Sequence, residues 1–302
     1  MDPARSLVKT AESHPINPEA TRGSMLKLLE RSIATLHGRL LVLAPEHVHH
    51  AQTGAAFRNV VADSRARADL LRDAQRLRGA VYLEDGAIQG HQLSPDGRHH
   101  TEEDERSWHL LFLNSAGRVS ACMWYRDLGL TPSIDEMRVS STPLAEVDDW
   151  RSKLIRAVEH ELARARRLGL AFSEIGGWAV AAESRCTSEG LLLALGAYSL
   201  AQLLGGALGM TTATVRHASS SILRRLGGSS LEVDGEPIPS YYDPKYRCVM
   251  ELLRFDSRQP NARYTSVVAH LCEGLLEVPV LAARSCHSLM SESVAAGELS
   301  AA

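Results

Sequence analysis

The chain lacks the marks of a disulfide-stapled, metal-clustered or membrane-spanning protein. Its five cysteines, Cys122, Cys186, Cys248, Cys272 and Cys286, are widely spaced, odd in number and contain no C-x-x-C pair. That pattern argues against a disulfide framework or a zinc knuckle and implies reduced thiols in a cytoplasm. No apolar run approaches the ~20 residues that a membrane span needs. Residues 1–24 hold no apolar core of signal-peptide type. An excess of positive charge is missing too: the net charge is −3, which gives no electrostatic case for nucleic acid. An anionic ligand would need a local basic patch. No internal repeat is visible. What is present is a chain of 302 residues, 44% apolar, long enough for one large domain with decorations or two small ones.

Periodicity and punctuation order the elements. Residues 1–24, with Pro3, Pro15 and Pro18, read as a loose arm, and 25–43 as a helical pattern with strand character at its end. "APEHVHH" then brings His47, His49 and His50 together, and "GRHHTEED" adds His99 and His100. Both lie in loop-like sequence without a recognised ligand spacing, so they read as solvated histidines. Between residues 51 and 82, Leu70, Leu71, Ala74 and Leu77 recur at helical spacing, which predicts an amphipathic helix running into an extended "AVYLE". "SWHLLFLNSAGRVSACMWYRDL" predicts a β-hairpin about "NSAG". Next comes a helix with Asp148 and Asp149 at its start and Arg166, Arg167 and Gly169 at its end, an order that suits the helix dipole and a C-cap. Trp150, Leu154, Val158 and Leu162 form its apolar stripe. A strand over 172–182, a turn, and an all-round apolar helix over 188–204 follow. Further on are a short strand "TTATV", a helix in "RHASSSILRRLGG", a buried strand in "YRCVMELLRF" and a helical segment over 265–276 without an assigned role.

The stretch "FSEIGGWAV" carries one acid, Glu174, in an apolar strand. A lone carboxylate there is costly without a purpose, and burial would raise its pKa towards neutrality, where it makes a better base. Gly176, Gly177 and Ala179 permit close backbone approach, which suits a bulge or a bound ligand. Arg185, in the turn that follows, reads either as a partner of a local acid or as an anion contact. Trp178 and Tyr198 read as core.

Taken in order, residues 51–256 give helix, hairpin, helix, strand, helix, strand, helix, strand. This resembles the GNAT acetyltransferase fold: α/β, with a mixed, mostly antiparallel central sheet whose fourth and fifth strands splay apart between flanking helices. More narrowly, "LRDAQRLRGAVYLEDG", "DERSWHLLFLNSAGRVSACMWYR" and "FSEIGGWAV" resemble the long-chain N-acyl amino acid synthases and the acyl-homoserine-lactone synthases. The resemblance spans roughly residues 70–255. It implies an N-acyltransferase moving an acyl group from an acyl-carrier-protein or acyl-CoA thioester to the amine of a small acceptor, expected to be an amino acid. An ordinary acetyl-CoA-dependent N-acetyltransferase and a catalytically silent binding module are the alternatives.

By that pattern Glu174 is the base, and a backbone N–H at Ala179 or Val180 steadies the oxyanion. Arg78 (or Arg76), Asp104 and Arg126 serve the acceptor, while Ala179, Val180, Arg185 and Gly190 contact the donor. Some residues depart from it. "RCTSEGLLLA" lacks the second glycine of the usual phosphate loop, and Glu189 would compete with a phosphate for the same N–H groups. Gly177 stands where the lactone synthases carry an arginine, which argues against the S-adenosylmethionine-using branch. The glycine usual within the third strand is replaced near Ala121 and Cys122. Ser219, Ser220 and Ser221 stand where a tyrosine often protonates the thiol. No metal and no permanently bound cofactor is implied; the thioester is a co-substrate. The expected partners are a small amine and an acyl carrier protein, with no nucleic acid and no membrane span. The expected organisation is an arm and helical extension over 1–50, a GNAT-like domain over 51–258 and a helical tail over 259–302.

Overall fold

The computed structural model describes residues 38–48, 56–185 and 187–283, together with Leu29, Ile33 and Thr53. The expected arm at 1–24, His49 and His50 lie outside the described residues. The first elements are β1 (Leu40–Leu43), β2 (Val60–Ala62), α1 (Ser64–Glu84), β3 (Trp108–Leu113) and β4 (Val119–Asp127). Then come α2 (Asp148–Leu168), β5 (Ala171–Val180), α3 (Glu189–Leu203), β6 (Ala207–Thr214) and α4 (Ser219–Leu226). The short strands β7 (Ser229–Ser230), β8 (Glu232–Val233), β9 (Glu236–Pro237) and β10 (Tyr241–Asp243) precede β11 (Cys248–Asp256), α5 (Thr265–Glu277) and β12 (Val280–Ala282).

The main sheet runs β10-β11-β6-β5-β4-β3-β1-β12-β2, with β7 added on β11. Most neighbours are antiparallel; β5–β6, β1–β12 and β12–β2 are parallel. The sheet therefore runs across the boundaries drawn at 50 and 258, since β1 and β12 both hydrogen-bond into it. Strand alternation sorts the core. Ala121, Met123 and Tyr125 of β4 face the layer of α3 and α5, whereas Cys122 faces α1. Beside α1 on that second face, α2 packs Leu154, Val158 and Leu162 against Phe172 and Met210.

Local chemistry explains the helices. α3 is apolar on every side because it lies between the sheet and α5, with Leu193, Leu195 and Leu200 fully buried. The Ser199 hydroxyl donates to the Val268 carbonyl at 3.0 Å, which gives the 265–276 segment its role as a cover for α3. α2 ends at Gly169 in the left-handed conformation, φ 65°. α1 starts at Asp63, whose carboxylate accepts the Ala66 N–H. It differs from expectation at its other end, where "AVYLE" is helical rather than extended. The buried positions Leu71, Ala74, Arg78 and Val81 keep helical spacing through that segment, and the chain turns only at Gly86, φ 65°.

Two irregularities shape the middle of the sheet. β5 and β6 pair only from Ala171↔Ala207 to Glu174↔Met210. Beyond Glu174, β5 stays with β4 and β6 with β11, so the two strands part. Opposite Met123, the register slips by one residue, leaving Gly177 and Trp178 as a bulge. Gly177 takes φ +64°, and a Cβ there would lie 2.3 Å from Trp124 Cδ1, so only glycine fits.

Candidate active site

The parting of β5 and β6 opens a cavity of about 700 Å³ that reaches both faces of the sheet. On the α1 side its wall is polar, with Arg78, Tyr82, His99, Thr101 and Arg138. On the α3 side it is apolar, with Leu191, Ala197, Ile222, Phe255 and Tyr264. Trp178 and Tyr198 belong to the core on that side and also form the cavity wall.

Glu174 sits where the strands begin to part, 5% exposed. It lines a small pocket that shares Arg138, Ile175, Thr211 and Thr212 with the main cavity. Its Oε1 accepts the Arg138 backbone N–H at 2.8 Å, while Oε2 has no hydrogen bond. The nearest guanidinium to Oε2 belongs to Arg126, at 3.6 Å. Burial pushes the Glu174 pKa up to about 7, because the Arg138 N–H and the charges of Arg138 and Arg126 only partly offset the loss of water.

Of the acceptor residues anticipated from sequence, Arg78 and Asp104 form one buried pair. Asp104 is fully buried, and its Oδ2 accepts from Arg78 at 2.6 Å, Gln75 at 3.0 Å and the Thr101 N–H at 3.0 Å. Arg78 also donates to the His99 carbonyl, and its Nε is buried without a partner. Arg78 lines the cavity and Asp104 does not. Arg76, the alternative to Arg78, is spent at the surface on Asp73 and Asp96. Arg126 lies outside the cavity wall, donating to the Glu136 carbonyl at 2.8 Å and facing Glu174.

Sequence reasoning missed Arg138. It comes from a 3₁₀ turn without a helical or strand period, so nothing local marked it. Its guanidinium lies 5.6 Å from the Trp124 ring centroid, bonds the Tyr246 hydroxyl at 3.0 Å and pairs with Glu103 at 3.1 Å. His99 departs from the solvated reading. It is 4% exposed, packs edge-on to Tyr82, and burial followed by the Arg78 charge depresses its pKa to about 4, so the ring is neutral. A buried His99 results because Arg78 holds its carbonyl; His47 and His100 are exposed. Among the described residues, no three His, Cys, Asp or Glu side chains are grouped to hold a metal.

The residues expected to contact a donor lie on β5, on α3 and in the turn between them. The Ala181 N–H bonds the Ser120 carbonyl at 2.8 Å. Alternation in an antiparallel ladder then directs the Ala179 N–H to β4 and the Val180 N–H to the open edge. Val180 is six positions from Glu174, roughly 20 Å of extended strand before the bulge shortens it, too far for both to flank one carbonyl. Gly190 lines the cavity, and a Cβ there would meet Val180 at 3.1 Å. Arg185 also lines it but is held by Glu84 at 3.1 Å and Asp85 at 3.5 Å. The Glu189 carboxylate, expected to compete with a phosphate, turns instead to Arg39 and to the Ser120 hydroxyl at 3.0 Å.

A mixed sheet parted beside a bulged strand, with a helix N-terminus facing the gap, is the GNAT-like fold. Among solved structures, one similar to this chain is BjaI, a CoA-dependent acyl-homoserine lactone synthase with SAM and isopentyl-CoA. It is 14% identical, with a TM-score of 0.50 over 82% of this chain and 94% of that one. FeeM, an N-acyl amino acid synthase from uncultured soil microbes, is 12% identical with a TM-score of 0.40 over 65% and 94%. Arylalkylamine N-acetyltransferase 2 from Aedes aegypti is 15% identical with a TM-score of 0.37 over 64% and 95%. No family model matches the chain, and no curated protein matches it by sequence. No helix among the described residues is long and apolar enough to cross a membrane.

Proposed function

We propose that the chain is an N-acyltransferase that moves an acyl group from a carrier-protein or CoA thioester to the amine of a small acceptor, an amino acid. The observation that carries this reading is the cavity through the parted strands, polar towards Glu174 and apolar on the α3 side. Each chamber suits one substrate: the polar one an amino acid, the apolar one an acyl chain longer than acetyl. Glu174, with a pKa of about 7, takes a proton from the acceptor's ammonium through a water in the shared pocket. The freed amine attacks the thioester carbonyl carbon, the C–S bond breaks, and the second proton of the attacking nitrogen passes through water to the departing thiolate, while Glu174 returns the first to solvent.

In this reading Arg78, braced by Asp104, offers its unpaired Nε–H to the acceptor carboxylate. Arg126 serves the acceptor indirectly by facing Glu174. The Val180 N–H and the first N–H groups of α3 at Gly190 receive the donor's arm, with Ala179 holding β5 to β4 and Arg185 at the entrance. The oxyanion is steadied by a backbone N–H of β5 nearer to Glu174 than Val180.

The test is mass spectrometry of organic extracts from cells expressing the chain or its Glu174→Gln variant. N-acyl amino acids present with the first and absent with the second support the reading. Identical extracts, together with purified protein that ignores acyl thioesters and amino acids, would sink it.

A further inference from the structure

The two lips of the cavity differ in free charge. On the lip beyond α1, Arg185 is neutralised by Glu84 and Asp85. The opposite lip is made by the ends of β6, β10 and β11. Arg216, His217, Lys245 and Arg247 are exposed there, and none makes an ion pair among the described residues. The acids on the same strands are already engaged. Asp243 accepts the Lys245 N–H at 2.8 Å, and Glu251 is held by Ser220 and Arg224.

Between these cations runs an apolar row. Tyr242 pairs with Val249, whose carbonyl accepts the Val215 N–H at 3.0 Å, so the three side chains stand side by side on one face. They are 58%, 41% and 45% exposed. α4 covers the same face one step further on, where Arg224 reaches Glu251, and leaves this row bare. Three strands span about 10 Å, the width of one α-helix. Among the described residues, the lip also holds three of the four non-glycine residues with positive φ: His217 at 62°, Ala218 at 61° and Arg247 at 49°. Such backbone costs of order 1–3 kcal/mol per residue and concentrates at working surfaces.

We propose that this lip is the docking surface for an acidic carrier protein that presents the acyl thioester on a flexible arm. The proposal rests on the acyltransferase reading and selects its donor. A helix of the carrier lies on Val215, Tyr242 and Val249, its acids meet Arg216, Lys245 and Arg247, and the arm enters beside Arg216 and Tyr246, which line the cavity. A nucleotide-borne donor would bring its phosphates to the N-terminus of α3, where the neighbouring Arg185 is already paired with Glu84 and Asp85.

The test compares the full chain with its Lys245→Glu/Arg247→Asp variant; aspartate tolerates the positive φ at 247. Each is given the same acyl chain on a carrier protein and on free pantetheine. Expected is a loss of about tenfold or more in kcat/KM for the carrier-borne donor, within about twofold for acyl-pantetheine. Unchanged pantetheine turnover also certifies the variant's fold. Equal losses on both donors, or none with the carrier, overturn the docking surface and leave the acyltransferase reading standing. If the unaltered chain turns over neither donor, the acyltransferase reading fails and binding decides docking. Anisotropy of a labelled acyl carrier protein then supports it if the variant and added salt both weaken binding, and overturns it if the unaltered chain does not bind.

Discussion

Asp104 and Glu174 are both buried carboxylates within reach of an arginine, yet they are held differently. Asp104 accepts three hydrogen bonds on Oδ2, including the Arg78 guanidinium at 2.6 Å. Burial alone would raise its pKa, but the charge and hydrogen bond of Arg78 prevail and hold it below the usual range. Glu174 has one N–H on Oε1 and a guanidinium 3.6 Å from Oε2, so burial prevails and its pKa rises to about 7. The same two ingredients thus give a fixed structural charge in one place and a titratable one in the other. Each keeps one oxygen without a partner; what separates them is that the arginine is hydrogen-bonded to Asp104 and only faces Glu174.

Removing the fixed charge should have the largest effect. Asp104→Asn leaves the Arg78 guanidinium buried without its counter-charge and should cost about 3–5 kcal/mol in chemical denaturation. Glu174→Gln should do the opposite: stability held or raised at pH 8, and turnover lowered roughly 10²- to 10⁴-fold. A variant that both unfolds and loses activity would erase the distinction between the two acids. Gly177→Ala strikes the bulge between them. With φ +64° and Trp124 Cδ1 at 2.3 Å from the added Cβ, it should cost about 1–3 kcal/mol, read as a lower denaturation midpoint.

Taken per pH unit, the smallest effect is the pH slope. Between the ordinary glutamate range near 4.5 and about 7, folded Glu174 binds a proton that the unfolded chain has released. Stability therefore falls as pH rises through that window, by at most about 1.4 kcal/mol per unit from this group, while activity rises through about 7. In Glu174→Gln that part of the slope should vanish; an unchanged slope would assign it to other groups.

Much of this was legible in the residues. Glu174 stood out because an acid interrupts an apolar strand, and Gly176–Gly177 marked the bulge next to it. The hairpin and α2 announced themselves through turn and cap residues. What escaped was set by partners far along the chain. Arg138 reaches Glu174 from a turn with no period of its own. His99 is buried by Arg78 rather than by its polar neighbours. The short β12 is a strand because it lies between β1 and β2, and a run of three apolar residues cannot reveal parallel partners more than two hundred positions away.

That last pairing governs how the molecule can be made. β12 lies between β1 and β2, so these two strands meet only through a strand made more than two hundred residues after them. During translation β1 can pair with β3 on one edge, while its other edge and the apolar surface awaiting α5 stay uncovered until residues 265–282 emerge. The nascent sheet thus keeps an apolar face and an open edge after the parted strands β5 and β6 are already made, and only the emergence of residues 265–282 covers them.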